Sequence, residues 1–235
     1  MKRGKWIWLK KKRSCSFRGG LDSTTCMAVA NDAGYELYPI SFNYHQRHVI
    51  ELDSAKSVAE YYRVKKHLII ETNMDMIGGS ALTDSNIDVP VGDVDRNDVP
   101  PTYVPARNLI FLSYAVGYAE TIDAHHVFIG VNAVDYSGYP DCRKEFIEKF
   151  QSLSDYATKM TAVDGERIVI ETPLQNLSKR DIVLLGIKLK APFHLTRSCY
   201  NGGKVACGIC DSCKLRLRGF KEAGMEDPIE YAVRE

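Results

Sequence analysis

The sequence lacks the features that would place it at once in several broad classes. Its 235 residues include 31 Lys or Arg and 30 Asp or Glu, so the net charge is only +1. This balance disfavours a dedicated duplex-DNA binder, which usually carries a clear basic excess. No apolar stretch reaches the ~20 residues that a membrane-spanning helix needs. Internal repeats and low-complexity segments are also absent, which leaves an ordinary globular protein.

The amino-terminal segment concentrates basic charge. Residues 1–13 hold seven basic residues and no acidic one, so the rest of the chain carries a net charge of −6. The apolar patch at 6–9 has four residues, whereas a secretory signal needs about 7–15. We therefore expect a solvated tail over 1–13, a cytoplasmic location and no binding to membranes or nucleic acid.

Apolar, β-branched segments alternate with helix-like segments along most of the chain. The patterns predict strands at 35–44, 67–71, 126–131 and 168–172, and helices at 51–62, 107–122, 142–160 and 179–188. This order indicates an α/β domain, which we place at 14–190, with a parallel sheet covered by helices on both faces. Residues 78–105 have no periodicity, and a loop this long is usually functional, so we predict an active-site loop or lid.

A glycine-containing turn precedes the first helix-like run. Gly19 and Gly20 are followed by Asp22, Ser23, Thr24 and Thr25, and backbone N–H groups, hydroxyls and a helix N-terminus together can cradle an anion. A Gly-Gly pair alone would more simply be a turn before a helix cap. The Walker A pattern occurs nowhere in the chain. Residues 10–17 lack the apolar pattern of a strand that would lead into such a loop.

Four cysteines near the carboxyl end have the spacing C-x7-C-x2-C-x2-C. Cys199, Cys207, Cys210 and Cys213 would suit a closed, structural zinc site in the segment 191–235. An iron–sulfur cluster, which also uses four thiolates, is the alternative. Cys15, Cys26 and Cys142 show no pairing pattern, and in a reducing compartment we expect reduced thiols.

Three polar segments are candidates for ligand binding: 103–108 (YVPARN), 132–143 (NAVDYSGYPDCR) and 198–203 (SCYNGG). The second follows a predicted buried strand, and ligands of open α/β sheets bind beyond the carboxyl ends of strands. Its polar side chains could hold a heterocycle and a carboxylate. A rigid turn with a solvated Asp–Arg pair is the alternative.

Taken together, several strings resemble the QueC family of 7-cyano-7-deazaguanine synthases, within the PP-loop ATP pyrophosphatases. They are GGLDSTTC (19–26), FNYHQRH (42–48), SALTDS (80–85), YVPARN, FIGVNAVDYSGYPDCR (128–143), TPL (172–174), SCYNGG and CGICDSC (207–213). The resemblance implies a Rossmann-like, doubly wound parallel sheet of the adenine nucleotide alpha hydrolase type with a C-terminal zinc-binding tail.

The resemblance also implies an activity. The implied activity is that of an ATP-dependent ligase, which would convert 7-carboxy-7-deazaguanine and ammonia to 7-cyano-7-deazaguanine through adenylated and amide intermediates. Zinc, ATP with magnesium, and a homodimer are implied with it. The alternatives are another PP-loop enzyme, either tRNA-modifying or amide-forming, a zinc-stapled binding module, or a family member impaired because Arg18 stands where the motif has Ser.

Site residues follow from the matched positions. Asp22, Ser23 and Arg107 are implied to be catalytic, and Asn108, Asp135, Ser137, Asp141 and Arg143 to bind the substrate. The nucleotide would contact Phe17, Arg18, Gly19, Gly20, Leu21, Asp22, Ser23, Thr24, Thr25, Cys26 and Met27. No Ser-His-Asp triad is indicated. The histidines show no metal spacing, and His45 and His48 are expected near the site because they follow a predicted strand.

Overall fold

Five parallel strands form one sheet. The structure, a computed structural model, describes residues 12–16, 19–93, 98–132 and 138–234. The strands are β1 (Lys12–Ser16), β2 (Glu36–Asn43), β3 (Leu68–Glu71), β4 (His126–Phe128) and β5 (Val169–Glu171), in the order β3-β2-β1-β4-β5. The chain therefore runs outward from β1 in both directions, which confirms the doubly wound sheet. Such a sheet opens a crevice between β1 and β4, where the order reverses.

The central strand forms where the sequence has no apolar pattern. Residues 12–16 (KRSCS) pair in parallel with β2 on one side and β4 on the other, with Lys12 opposite Glu36 and Arg13 opposite His126. A β-ladder consists of backbone hydrogen bonds, so neighbours on both sides can order a strand without apolar periodicity. The strand delivers the chain to the glycine loop.

Helices cover both faces of the sheet. They are α1 (Leu21–Asp32), α2 (Glu51–Tyr61), α3 (Arg107–Thr121), α4 (Lys144–Ala157), α5 (Lys159–Ala162), α6 (Lys179–Lys188) and α7 (Asp211–Glu222). The single helix predicted over 142–160 is wrong, because Thr158 is extended (φ −100°, ψ 141°) and separates α4 from α5. Its hydroxyl donates to the Ser154 carbonyl, which satisfies one acceptor at the end of α4.

Two apolar clusters lie on opposite faces of the sheet, and alternate residues of β2 and β4 point into one or the other. Phe42 and Val127 join the cluster beneath α3 and α4, where Phe42 stacks on Phe111 with ring centroids 3.9 Å apart. Leu37 and Phe128 join the cluster beneath α1, α2 and α6. In the part of the chain that the structure describes, no helix is long and apolar enough to cross a membrane.

The described parts of the long loop, residues 78–93 and 98–105, pack against the domain. Ala81 and Leu82 are fully buried, and the Ala81 amide donates to the Pro101 carbonyl at 2.8 Å. Further along, the Gly92 amide donates to the Ile209 carbonyl at 2.7 Å, and the Asp93 amide donates to the Asp211 carboxylate at 2.7 Å. The loop is therefore docked on the cysteine-containing segment.

Candidate active site

A cavity of about 180 Å³ lies at the carboxyl edge of the sheet, where the strand order reverses. The glycine loop, the start of α3, the residues after β4, the start of α6 and the segment around Ser198 all contribute to its wall. Sequence positions far apart therefore meet here, as expected for a doubly wound sheet.

The glycine loop is held in place by backbone contacts that require glycine. Gly19 has φ +80°, and a Cβ on it would lie 2.5 Å from the Glu51 carbonyl oxygen. Gly20 is extended and precedes the first residue of α1, so the N–H groups of the first helical turn, which have no acceptor within the helix, lie beside the cavity. The Ser23 hydroxyl donates to the Gly20 carbonyl at 3.0 Å, whereas the buried Thr24 hydroxyl has no hydrogen-bond partner in the described part of the chain. The loop thus has the features of an anion cradle.

Not every residue implied for nucleotide binding lines the cavity. Leu21, Asp22 and Ser23 do, together with Gly20. The side chains of Thr25, Cys26 and Met27 are buried, and the last two lie in the apolar cluster beneath α1. Phe17 and Arg18 lie outside the described residues.

Lys179 joins the site although sequence reasoning placed it only at a helix start. It is the first residue of α6, after Ser178 caps that helix through the Asp181 amide. Its Nζ lies 2.8 Å from each carboxylate oxygen of Asp22. A lysine at a helix N-terminus is unfavourable for the helix dipole, and that mismatch was the signal available in the sequence. The ammonium group is therefore positioned to contact an anion bound at the glycine loop.

Arg107 brings a second cation to the cavity. Ala106 adopts a left-handed conformation (φ 55°) and turns the chain into α3, so that the Arg107 side chain is 6% exposed. Its Nε has no hydrogen-bond partner among the residues that the structure describes, and its guanidinium lies 5.9 Å from the centre of the Tyr139 ring. Burial opposes its charge, but the surrounding Tyr44, Tyr139, Asp141 and Tyr200 raise the pKa of Arg107 above its ordinary value. The group is a permanent cation with unused donor capacity.

Asn108 and Asp141, both expected to bind substrate, bind each other. The Asp141 carboxylate accepts from the Asn108 amide at 2.9 Å, and the Asn108 side chain donates to the Asp141 carbonyl at 3.2 Å. A carboxylate here offsets the positive end of the α3 dipole. Arg143 is exposed, and Asp135 and Ser137 lie outside the described residues.

Aromatic and acidic residues complete the wall, and sequence reasoning did not single them out. The Tyr139 hydroxyl lies 3.0 Å from the Thr102 hydroxyl and 3.3 Å from the Tyr200 hydroxyl. Burial, aided by Tyr139, raises the pKa of Tyr200 well above its ordinary value. Glu51 lines the cavity beside His48. By contrast, His45 is exposed and pairs with Asp75.

The four predicted metal ligands converge. The sulfur atoms of Cys199, Cys207, Cys210 and Cys213 all lie within 4.8 Å of one another. Hydrogen bonds from Cys210 and Cys213 lower the pKa of Cys199, and the bond to Cys199 raises the pKa of Cys210 to about 12. The neighbouring thiols thus stabilise one thiolate but make further deprotonation unfavourable, because several thiolates repel one another. A bound cation offsets this repulsion. The donor set fits a metal that prefers four sulfur ligands.

Known proteins match this chain over nearly its whole length. Residues 14–224 match the model of a family described as queuosine biosynthesis protein QueC. A 7-cyano-7-deazaguanine synthase of Acetivibrio thermocellus is 60% identical over 216 residues, which cover 92% of this chain and 96% of the relative. Another, of Oceanobacillus iheyensis, is 55% identical over 222 residues, covering 94% of this chain and 98% of the relative.

One solved structure shares the fold at low identity. The crystal structure of a predicted subunit of tRNA methyltransferase from Methanocaldococcus jannaschii has a TM-score of 0.50 and 16% identity. The match covers 96% of this chain and 93% of that one.

Proposed function

Because the chain belongs to the QueC family, we propose that it is an ATP-dependent ligase that converts 7-carboxy-7-deazaguanine and ammonia to 7-cyano-7-deazaguanine. The observation that supports the proposal is the meeting of two parts in one cavity: a glycine loop with the features of an anion cradle, and the buried cation Arg107, whose Nε has no partner among the described residues. An acid substrate that must be adenylated needs both.

The chemistry runs in two activations. The substrate carboxylate attacks the α-phosphorus of ATP, the bond to the leaving pyrophosphate breaks, and an acyl-adenylate forms. Ammonia then displaces AMP and yields the amide. The amide oxygen attacks a second ATP, and departure of AMP with loss of protons from nitrogen yields the nitrile. Adenylation is required because oxide is a poor leaving group and the carboxylate charge repels nucleophiles.

The residues divide between the phosphates and the substrate. The N–H groups of the first turn of α1, the Ser23 hydroxyl and Lys179 would hold the phosphates, with Asp22 orienting Lys179. Arg107 would face the carboxylate and later offset charge on the departing pyrophosphate. Asp135, Ser137 and Arg143 remain proposed contacts to the deazaguanine ring, and ATP would enter with magnesium.

The cysteine site would hold zinc. Four thiolates leave no open position, so the metal would stabilise the fold rather than take part in the reaction. We further propose that the enzyme works as a cytoplasmic homodimer, as the family resemblance implies.

Arg18 favours one second candidate, a family member with impaired turnover. The motif has a small Ser at this position, and an Arg beside a tight phosphate loop is bulky and positively charged. Replacing Arg18 with Ser distinguishes two explanations for a lack of product: a loop damaged by Arg18, or a natural substrate other than the one proposed.

The direct test follows the base by mass spectrometry. The zinc-loaded protein and its R18S variant are each incubated with ATP, magnesium, ammonium and 7-carboxy-7-deazaguanine. Amide and then nitrile from the natural chain support the ligase. Product from R18S alone supports the impaired member. If neither folded protein makes product, the substrate assignment is wrong.

A further inference from the structure

We propose that His48, held by Glu51, accepts the protons that leave ammonia nitrogen in this reaction. The proposal rests on the proposed function, and it assigns a role to two residues that the family resemblance did not place in the mechanism. Both lie in the wall of the cavity that contains the glycine loop and Arg107.

The reaction requires a proton acceptor near nitrogen. A nitrile nitrogen carries none of the three hydrogens of ammonia, so three protons must leave it. One leaves when ammonia forms the C–N bond and the C–O bond to AMP breaks. The other two leave as the adenylated amide loses AMP and gains its third C–N bond. No oxidant or reductant is involved, since AMP takes the electron pair of each broken C–O bond.

The surroundings of His48 fix which ring nitrogen can accept a proton. The side chain is buried, and its Nε2 lies 3.3 Å from a Glu51 carboxylate oxygen and 3.5 Å from the Tyr44 hydroxyl. A carboxylate offers only acceptors, so the Glu51 oxygen beside Nε2 favours the tautomer that carries its hydrogen on Nε2. Nδ1 is then the basic nitrogen, and it has no hydrogen-bond partner among the described residues.

Glu51 ties this pair to the glycine loop. It is the first residue of α2, and its backbone carbonyl lies against Gly19. Its Oε1 lies 3.1 Å from the position that a Cβ on Gly20 would occupy. On the other side, the Tyr200 ring centre lies 6.0 Å from that of His48. The pair is therefore fixed between the phosphate cradle and the aromatic wall.

Two charged groups beside the glycine loop are already paired, because Lys179 is bonded to Asp22. Arg107 cannot lose its proton under ordinary conditions. Among the described residues that line the cavity, His48 offers an imidazole nitrogen that can accept a proton, on a ring that lies beside a carboxylate.

The test separates adenylation from proton removal. Exchange of labelled pyrophosphate into ATP, in the presence of 7-carboxy-7-deazaguanine and without ammonia, reports adenylation alone. Amide and nitrile formation with ammonium report the later steps. Wild type, H48Q, H48N and E51Q are compared, each with its unfolding midpoint in urea. H45N is the matched control, because His45 belongs to the same segment but is exposed and pairs with Asp75.

We expect H48Q or H48N to keep the exchange rate within about threefold while amide formation falls by about 100-fold, the usual effect of losing a general base. E51Q should lower amide formation by about tenfold, since the imidazole loses its orienting carboxylate. H45N should change neither rate.

Two results would overturn the role of His48: folded variants that form amide at the wild-type rate, or folded variants that lose exchange and amide formation in equal proportion. Absence of exchange in the wild type is a different failure, because it removes the proposed function and the role of His48 with it.

Discussion

Lys179 and Asp22 connect the first turns of two helices in the wall of the cavity. The ammonium nitrogen is 2.8 Å from each carboxylate oxygen, although the residues lie 157 positions apart. The pair sets the charge beside the glycine loop before any ligand arrives. Without Lys179, Asp22 would present an unpaired negative charge where we propose that phosphates bind.

Replacing Lys179 by Gln should therefore harm nucleotide use more than it harms the fold. We expect ATP-dependent turnover to fall by about 100-fold, as for loss of one electrostatic contact. The partly exposed ion pair should contribute only about 1 kcal/mol to stability. Turnover and urea unfolding are measured on K179Q and on K188Q, a change of an exposed lysine in the same helix. Equal activity of the two variants would contradict the role of Lys179.

We expect the reaction to need both the positive charge of Arg107 and the ability of its planar guanidinium to donate two parallel hydrogen bonds. We expect R107Q to lower turnover by about 100-fold or more, because the buried charge that we propose to face the substrate carboxylate is lost. R107K should recover part of that loss by keeping the charge, but not the bidentate geometry. The KM for 7-carboxy-7-deazaguanine and kcat are measured with R63Q, an exposed arginine, as control. A fully active R107Q would exclude the proposed contact.

The buried pair of Arg216 and Asp227 should be a major determinant of stability. Arg216 donates to both oxygens of Asp227, at 2.7 and 2.9 Å, and the two side chains are 2% and 0% exposed. Removing one partner of a buried pair leaves an unpaired charge, so D227N should cost about 3–5 kcal/mol. On the same helix, the exposed pair of Arg218 and Glu222 gives the control E222Q, expected to cost about 0.5 kcal/mol or less. Equal losses of unfolding free energy in D227N and E222Q, measured by urea denaturation, would contradict the major role of the buried pair.

Loss of one cysteine of the cluster should remove the metal. We expect about one zinc per chain in the purified protein and nearly none in C213A, because three thiolates no longer close a tetrahedral site. C26A is the control, since Cys26 is buried in the apolar cluster beneath α1. Metal content is measured by mass spectrometry of the intact and denatured protein. Iron together with acid-labile sulfide, in place of zinc, would show that the site holds a cluster.

Gly92 should be needed for docking of the long loop. A Cβ there would lie 2.6 Å from the Asp211 amide nitrogen and 2.8 Å from the Cys210 carbonyl carbon. G92A should therefore undock the loop and speed hydrogen exchange at its amides, whereas G117A meets nothing within 4 Å and should stabilise α3 by about 0.5–1 kcal/mol. Unchanged exchange at residues 78–93 in G92A would show that the contact does not hold the loop.

Local patterns in the sequence predicted the elements whose burial is periodic. The helix at 179–188 was predicted at its observed bounds, and β2, β3, α2 and α3 lie within one residue of theirs. The cysteine spacing predicted a cluster because its ligands are close in sequence. β1 was missed because pairing on two sides, rather than side-chain pattern, defines it. Lys179 and Glu51 were missed because nothing local connects them to the glycine loop.

The glycine loop also has a consequence for the order in which the protein can mature. The Gly19 carbonyl accepts from the Arg197 amide at 3.0 Å, and the Ser198 hydroxyl lies 3.4 Å from the Leu21 amide. These partners leave the ribosome nearly 180 residues after the loop does. Contacts of such long range form late in folding. A growing chain should thus be unable to capture nucleotide until most of it has been synthesised.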